Sequence, residues 1–407
     1  MQKQRQQRYL SLANGMVFRG LAAGANCTGC GELVFTTAMG GYLETLTDSS
    51  YCDQIVVQAF PLIGNYGVIP EDFESSKAQV AGYVVRHLSE IGSNMRSEGA
   101  LEPWLEAQGI PVIAEIDTRA LIRVLRKHGT MNARLSDHPL SEAEFAELQA
   151  LSFPRKVDRV TRSKPEYIAY QDYVFPSWVK AVQPRSAWDK ERCLDAGIHC
   201  VLVYDFGAKA GIYRELLRRG ADVLLLPAST TADEVFALAK QYKAAGLMLS
   251  NGPGDPKENT DLLAELSRIL RSGLPCMGIC LGHQLSGLAM GLDTRRMPFG
   301  HRGSNQPVRT TEGGKVWITS QNHGYELLVP DANDSATVAC RLEQVNNNDL
   351  GVEGVSYPDY PVFTVQYHPE AAAGPLDSQP LFDRFFDLMA EVAYAQKEEG
   401  DKHATQS

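Results

Sequence analysis

Residues 199–228 read HCVLVYDFGAKAGIYRELLRRGADVLLLPA. Six residues around Val203 are apolar with few polar interruptions, a Gly-containing turn follows, and Ile212, Leu216 and Leu217 then recur at helical spacing. A second apolar run closes the stretch. Strand, turn, helix, strand is the unit of a parallel sheet. The pattern repeats downstream. AAGLMLSNGPGD (244–255) is a strand running into a Gly/Pro loop, TDLLAELSRILRSG (260–273) a helix, LPCMGIC (274–280) a strand and LGHQLSGLAMG (281–291) a helix. Strands apolar on both faces, alternating with amphipathic helices, predict an α/β unit with a largely parallel, helix-covered sheet. Such sheets place function at the C-terminal ends of their strands.

Outside this stretch the texture differs. Residues 1–152 mix short strand-like runs, GELVFTTAMGGY and QIVVQAFPLIGNYG, with one clear helix, IDTRALIRVLRKHG, opened by Asp117 and Thr118 and ended by Gly129. Residues 153–197 are rich in Pro, Trp, Lys and Arg without a sustained period, and are expected to connect two domains. The second domain is expected over 198–395 and a polar, frayed tail over 396–407. With 407 residues, two domains are the natural division.

Hydrophobic residues make up 44% and charged residues 22%, the balance of a globular protein. A net charge of −10 argues against a surface built for nucleic acid or anionic lipid. The polar start MQKQRQQRYLSLANG has no apolar signal core, and no run is long enough to span a bilayer, so a cytoplasmic location is expected. Eight irregularly spaced cysteines do not form a disulfide framework. Cys27 and Cys30 make a CxxC, but no second ligand pair is near it and a strand follows it, so neither a metal nor a redox role is expected. Cys276 is expected to be a buried core thiol.

Gly278-Ile279-Cys280-Leu281-Gly282 fits the pattern glycine–x–nucleophile–x–glycine between an apolar strand and a helix. The glycines relieve crowding on a tight turn, and the helix N-terminus favours thiolate. The N–H of Leu281 can face a developing oxyanion. Taken alone, the pentapeptide fits a buried cysteine in a close strand–helix crossing equally well. A thiolate needs a base, and the base an orienting group. His368-Pro369-Glu370 follows the strand-like PVFTVQY and supplies both on the same sheet edge. The rivals are His283, on the helix after the cysteine, and His301 and His323, which lack a nearby carboxylate in sequence. Ser250-Asn251-Gly252-Pro253-Gly254-Asp255 offers further backbone N–H groups at a strand end, although by itself it reads as an ordinary turn. No GxxxxGK[ST] loop is present, so nothing here points to ATP chemistry on this chain.

MGICLGHQ, SNGPGDP, QNHGY and HPEA, with the base-bearing motif last, together resemble the class I, triad-type glutamine amidotransferase family. GELVFTTAMGGYLETLTDSSY, FPLIGNYG, GYVVRHL, SNMR, IDTRALIRVLR, DFGAKAGI and FGHRGSNQP resemble one branch of it, the small subunits of carbamoyl phosphate synthetases, from about Phe18 to Met389. The resemblance implies a triad of Cys280, His368 and Glu370. It implies a glutamine pocket of Ser50, Gly252, Gly254, Leu281, Gln284, Asn322, Gly324 and Tyr325, with no metal. It further implies no cofactor on this chain. The N-terminal domain would dock a large synthetase subunit that binds ATP, Mg²⁺ and bicarbonate. Thr36, Gly40, Ser49, Gln306 and Tyr367 depart from the family pattern, several of them in the docking domain. Two alternatives stand beside this one. The chain would serve a divergent carbamoyl-forming or other ATP-dependent ligase, or it would be a non-catalytic regulatory subunit; the intact Cys-His-Glu set argues against the latter.

Overall fold

The computed structural model describes residues 5–153, 155–177, 186–330, 340–371 and 373–404. The chain forms two compact units, Met1–Lys156 with Met297–Asn305, and Val157–Arg296 with Gln306–Ser407.

In the second unit, the predicted strands form the parallel centre of a ten-stranded sheet. Their order is Asp222–Pro227, Cys200–Asp205, Ala244–Leu249, Cys276–Ile279, Val362–Val365. Val203 lies beside both Leu225 and Met248, and Met277 beside Phe363. Alternate residues face opposite ways, and both faces are apolar. Leu202, Leu224, Leu247 and Leu249 pack with Val235, Leu266, Ile269 and Leu285 of three helices. Val203, Val223, Met248, Met277 and Phe363 pack with Ile212, Leu216, Phe382 and Phe385 of two others. That double burial is why these strands read as continuous apolar runs.

The sheet extends beyond its parallel centre. Val352–Tyr357, Arg341–Asn346, Asp293–Thr310 and Val316–Leu328 add an antiparallel flank on one side. Glu166–Ile168 adds an antiparallel edge on the other, with Tyr167 opposite Leu224. This last strand falls inside 153–197, expected only to connect domains; three residues are too few for alternation to show. Residues 178–185 of that segment lie outside the described residues. The polar run from Gln396, expected to fray, instead continues the helix Pro380–Ala404, since Ala, Lys, Glu and Gln are good helix formers. Its last three residues, 405–407, lie outside the described residues.

The first unit is a closed seven-stranded barrel, in the order Gln7–Leu12, Val17–Gly24, Pro111–Ala114, Gly82–Val84, Gln54–Gln58, Gly29–Thr36, Met131–Ser136. One apolar set on its strands, including Leu10, Leu33, Ile55, Ile113 and Leu135, packs with Leu121 and Leu125 of the helix Thr118–His128. The other packs with Leu43, Leu46, Leu101 and Leu105. Asp117 caps that helix by accepting from Ala120 N, and Gly129 ends it with φ of 83°. Met297–Asn305 returns to this unit. Phe299 stacks obliquely on Phe35 at 6.3 Å, and Pro298 O accepts from Thr130 N. Cys30 sits in the barrel strand Gly29–Thr36, with Arg134 Nε 3.1 Å from its sulfur. Among the described residues, no helix is long and apolar enough to cross a membrane.

Candidate active site

Cys280 stands between the strand Cys276–Ile279 and the helix Leu281–Met290, at the C-terminal edge of the parallel sheet. Its backbone has φ of 55° and ψ of −104°, a conformation costing about 1–3 kcal/mol for a residue with a side chain. The surroundings hold it there. Cys280 N donates to Val365 O at 2.9 Å, and Cys280 O accepts from Gln284 N at 3.1 Å. A Cβ on Gly282 would come within 2.3 Å of Leu249 O, and one on Gly278 within 2.8 Å of Thr364 Cγ2 and 2.9 Å of Gly282 O. Both glycines are therefore required by close backbone approach. The thiol is buried, 3.7 Å from Asn322 O.

His368 leaves the neighbouring strand Val362–Val365, and its N–H donates to Ser320 O. Its Nδ1 is 2.7 Å from Glu370 Oε1, and that same oxygen accepts from Lys209 Nζ at 2.9 Å. His368, Glu370 and Lys209 are at most 5% exposed. Burial pushes the imidazole pKa down and Lys209 adds to that, but the charge and hydrogen bond of the Glu370 carboxylate, together with the Cys280 thiol, raise it above its ordinary value. Burial would raise the Glu370 carboxyl; Lys209 and His368 reverse that and hold it below the ordinary range. Among the described residues Nε2 has no hydrogen-bond partner of ordinary geometry, which leaves it available to the Cys280 thiol and to a reacting group.

The loop after Ala244–Leu249 lies against this turn. Ser250 O accepts from Gly282 N at 3.0 Å, and a Cβ on Gly252 would come within 2.7 Å of the Leu281 side chain. Gly254 has φ of 95°, open only to glycine at low strain. Gly252, Leu281 and Cys280 are thus brought together. Gln284 donates to Tyr325 O at 2.8 Å and to Gln366 Oε1 at 2.9 Å, which ties the first helical turn to the strand Val316–Leu328 carrying Asn322, Gly324 and Tyr325. Ser50 belongs to the first unit, in the single turn Ser49–Tyr51, where its N–H donates to Asp48.

Family models match both parts of the chain. Residues 10–135 match the carbamoyl-phosphate synthase small chain, CPSase domain, and residues 202–388 match the class-I glutamine amidotransferase. The carbamoyl phosphate synthase small chain of Oceanobacillus iheyensis is 42% identical over 384 residues, covering 94% of this chain and 96% of that one. The chain belongs to the carbamoyl phosphate synthase small chain family. The small chains of Bacillus caldolyticus and Fusobacterium nucleatum are each 42% identical, covering 94% and 93% of this chain and 97% of each relative.

As a small chain it carries a class-I amidotransferase domain in which two of the rival histidines, His283 and His323, are otherwise engaged. His283 is fully buried and shares a hydrogen bond of 2.7 Å with Thr364 Oγ1; burial drives its pKa down to about 3, so it stays neutral. The ring nitrogens of His323 meet Tyr325 O and Gln321 Oε1. His301 lies in Met297–Asn305, within the first unit. Sequence reasoning missed Lys209, although DFGAKAGI helped to mark the family. The available signal was a lysine just past an apolar strand, on the edge of the sheet that also carries the nucleophile.

Proposed function

We propose that this chain is the glutamine-hydrolysing subunit of a carbamoyl phosphate synthase, that Cys280 is its nucleophile, and that the ammonia passes to a large synthetase chain. The observation that carries the proposal is the buried Cys280 turn beside the Lys209–Glu370–His368 array. The Cys280 thiolate attacks the side-chain amide carbon of L-glutamine, and the oxyanion takes N–H donors from Leu281 and Gly254. One such donor is worth about 3 kcal/mol. The C–N bond breaks as His368 gives its Nε2 proton to the leaving nitrogen, releasing ammonia and a glutamyl thioester. Neutral His368 then takes a proton from water, whose oxygen attacks the thioester. Glutamate leaves, and the sulfur is restored with the proton on the imidazole.

Gln284, Asn322, Gly324 and Tyr325, with Gly252, hold the glutamine. The large chain binds ATP, Mg²⁺ and bicarbonate and makes carbamoyl phosphate, in the cytoplasm; this chain needs no cofactor for its own half. Ammonia released into water would be protonated and lose nucleophilicity, which favours direct transfer between the chains.

Reconstitution with the large chain from the same source tests the proposal. Glutamate and carbamoyl phosphate should appear together, in nearly equal amounts, when glutamine is the nitrogen source. Glutamate without carbamoyl phosphate would remove the partner assignment, and no glutamate at all would remove the glutaminase.

A further inference from the structure

The loop that brings Lys209 to Glu370 is fixed residue by residue. Phe206 N donates to Ser250 Oγ at 3.0 Å, Gly207 N and Ala208 N to Asp205 Oδ1 at 2.9 and 2.6 Å, and Lys209 N to Asn251 Oδ1 at 3.0 Å. Asp205 ends the strand Cys200–Asp205 and is 3% exposed. A carboxylate buried to that degree needs a cation or several donors. Its second oxygen, Oδ2, takes both: Arg162 N at 3.0 Å and Arg162 Nε at 2.7 Å. Arg162 comes from the stretch between the turn Val157–Val160 and the edge strand Glu166–Ile168. A continuous chain of hydrogen bonds and short loop thus runs from Arg162 through Asp205 and Lys209 to Glu370 and His368.

We propose that Arg162 and Asp205 are positioning residues for glutamine hydrolysis: pinned by Arg162, the Asp205 carboxylate sets the Phe206–Lys209 loop so that Lys209 stays on Glu370. The proposal rests on the reading of His368 and Glu370 as catalytic. Neither Arg162 nor Asp205 needs to meet glutamine. The charged and titratable groups that act on Glu370 are Lys209 and His368, and those on His368 are Glu370, Lys209 and Cys280. Withdrawing Lys209 removes the principal influence that lowers the Glu370 pKa. Glu370 would then protonate at higher pH, and the acid limb of the rate profile would move up. A merely structural Asp205 would reduce the amount of folded enzyme without moving that limb.

The test is the pH dependence of glutaminase kcat and kcat/KM, measured in the complex with the large chain. In Asp205→Asn and in Arg162→Met, kcat should fall about tenfold, KM for glutamine should stay within about twofold, and the acid limb should rise by roughly half a pH unit. Arg162→Lys should recover most of the loss, because it retains the charge. Arg162 is partly exposed, so its variants keep the test decisive should Asp205→Asn fold poorly. Wild-type rates, or lowered rates with an unmoved limb, in the Arg162→Met complex would overturn the inference. A wild-type complex without glutaminase activity would instead defeat the functional proposal beneath it.

Discussion

Cys280→Ser is expected to lower glutamine-dependent carbamoyl phosphate synthesis by roughly three orders of magnitude or more, while ammonia-dependent synthesis by the same complex persists. Serine fits the turn: it is close in size to cysteine, and the flanking Gly278 and Gly282 that make the turn possible are untouched. What changes is the nucleophile. An alkoxide is far less accessible than a thiolate, and His368 sits in an array tuned to an acidic partner rather than to a hydroxyl. The division of labour makes the second half of the expectation. The thiol is on this chain, whereas no phosphate-binding loop of the GxxxxGK[ST] type occurs in it. Rates from glutamine and from added ammonium salts, with the complex shown intact by sizing, decide the matter. Loss of both rates in an intact complex would contradict it.

Glu370→Gln should be nearly as damaging, by a different route. The carboxylate is buried and serves two cations at once through Oε1, Lys209 Nζ at 2.9 Å and His368 Nδ1 at 2.7 Å. An amide keeps the shape and removes the charge. Lys209 would be left buried without its counter-ion, and breaking such a pair costs about 3–5 kcal/mol. His368 would lose the main influence that raises its pKa, and burial would then disfavour the imidazolium proposed to protonate the leaving nitrogen. A fall in kcat of roughly 10³ with little change in KM is expected, smaller than the loss in His368→Ala.

The stability difference should depend on pH in a defined way. Glu370 has a lowered folded pKa, so its contribution is complete above the unfolded carboxyl value of about 4.3 and is lost as pH falls through the folded value. His368 has a raised folded pKa, so its contribution is complete below about 6.5 and is lost as pH rises through the folded value. The gap in Tm between wild type and Glu370→Gln should therefore be widest between those limits and narrow on both sides. A gap independent of pH, together with wild-type kcat, would make Glu370 a bystander.

What could be read from the sequence follows from how local each signal is. Cys280 was legible because both of its glycines are within two residues of it, and because a strand and a helix flank it in the chain. His368 and Glu370 were legible because the base and its partner are two residues apart. The five central strands announced themselves because both of their faces are buried. Lys209 was not legible as a partner of Glu370, because 161 residues separate them and only the fold makes them neighbours. Arg162 was hidden for the same reason, in a stretch whose composition suggested a connector. The antiparallel flank and the return of Met297–Asn305 to the first unit were also missed. Their strands are rich in polar and glycine residues, as in DTRRMPFGHRGSNQPVRT and RLEQVN, so no apolar period shows, and FGHRGSNQP carries turn residues instead.

The most direct test of Cys280 as the nucleophile uses a glutamine analogue with a diazoketone in place of the side-chain amide. Such an analogue is recognised as glutamine but alkylates the attacking group, so the modified residue is the nucleophile. Incubated with the wild-type complex and located by peptide mass mapping, it should place one label per chain on Cys280, protectable by glutamine. Glutamine-dependent synthesis should disappear in step with labelling while ammonia-dependent synthesis continues. Inactivation with the label on another residue, or full labelling of Cys280 with glutaminase activity intact, would contradict the account.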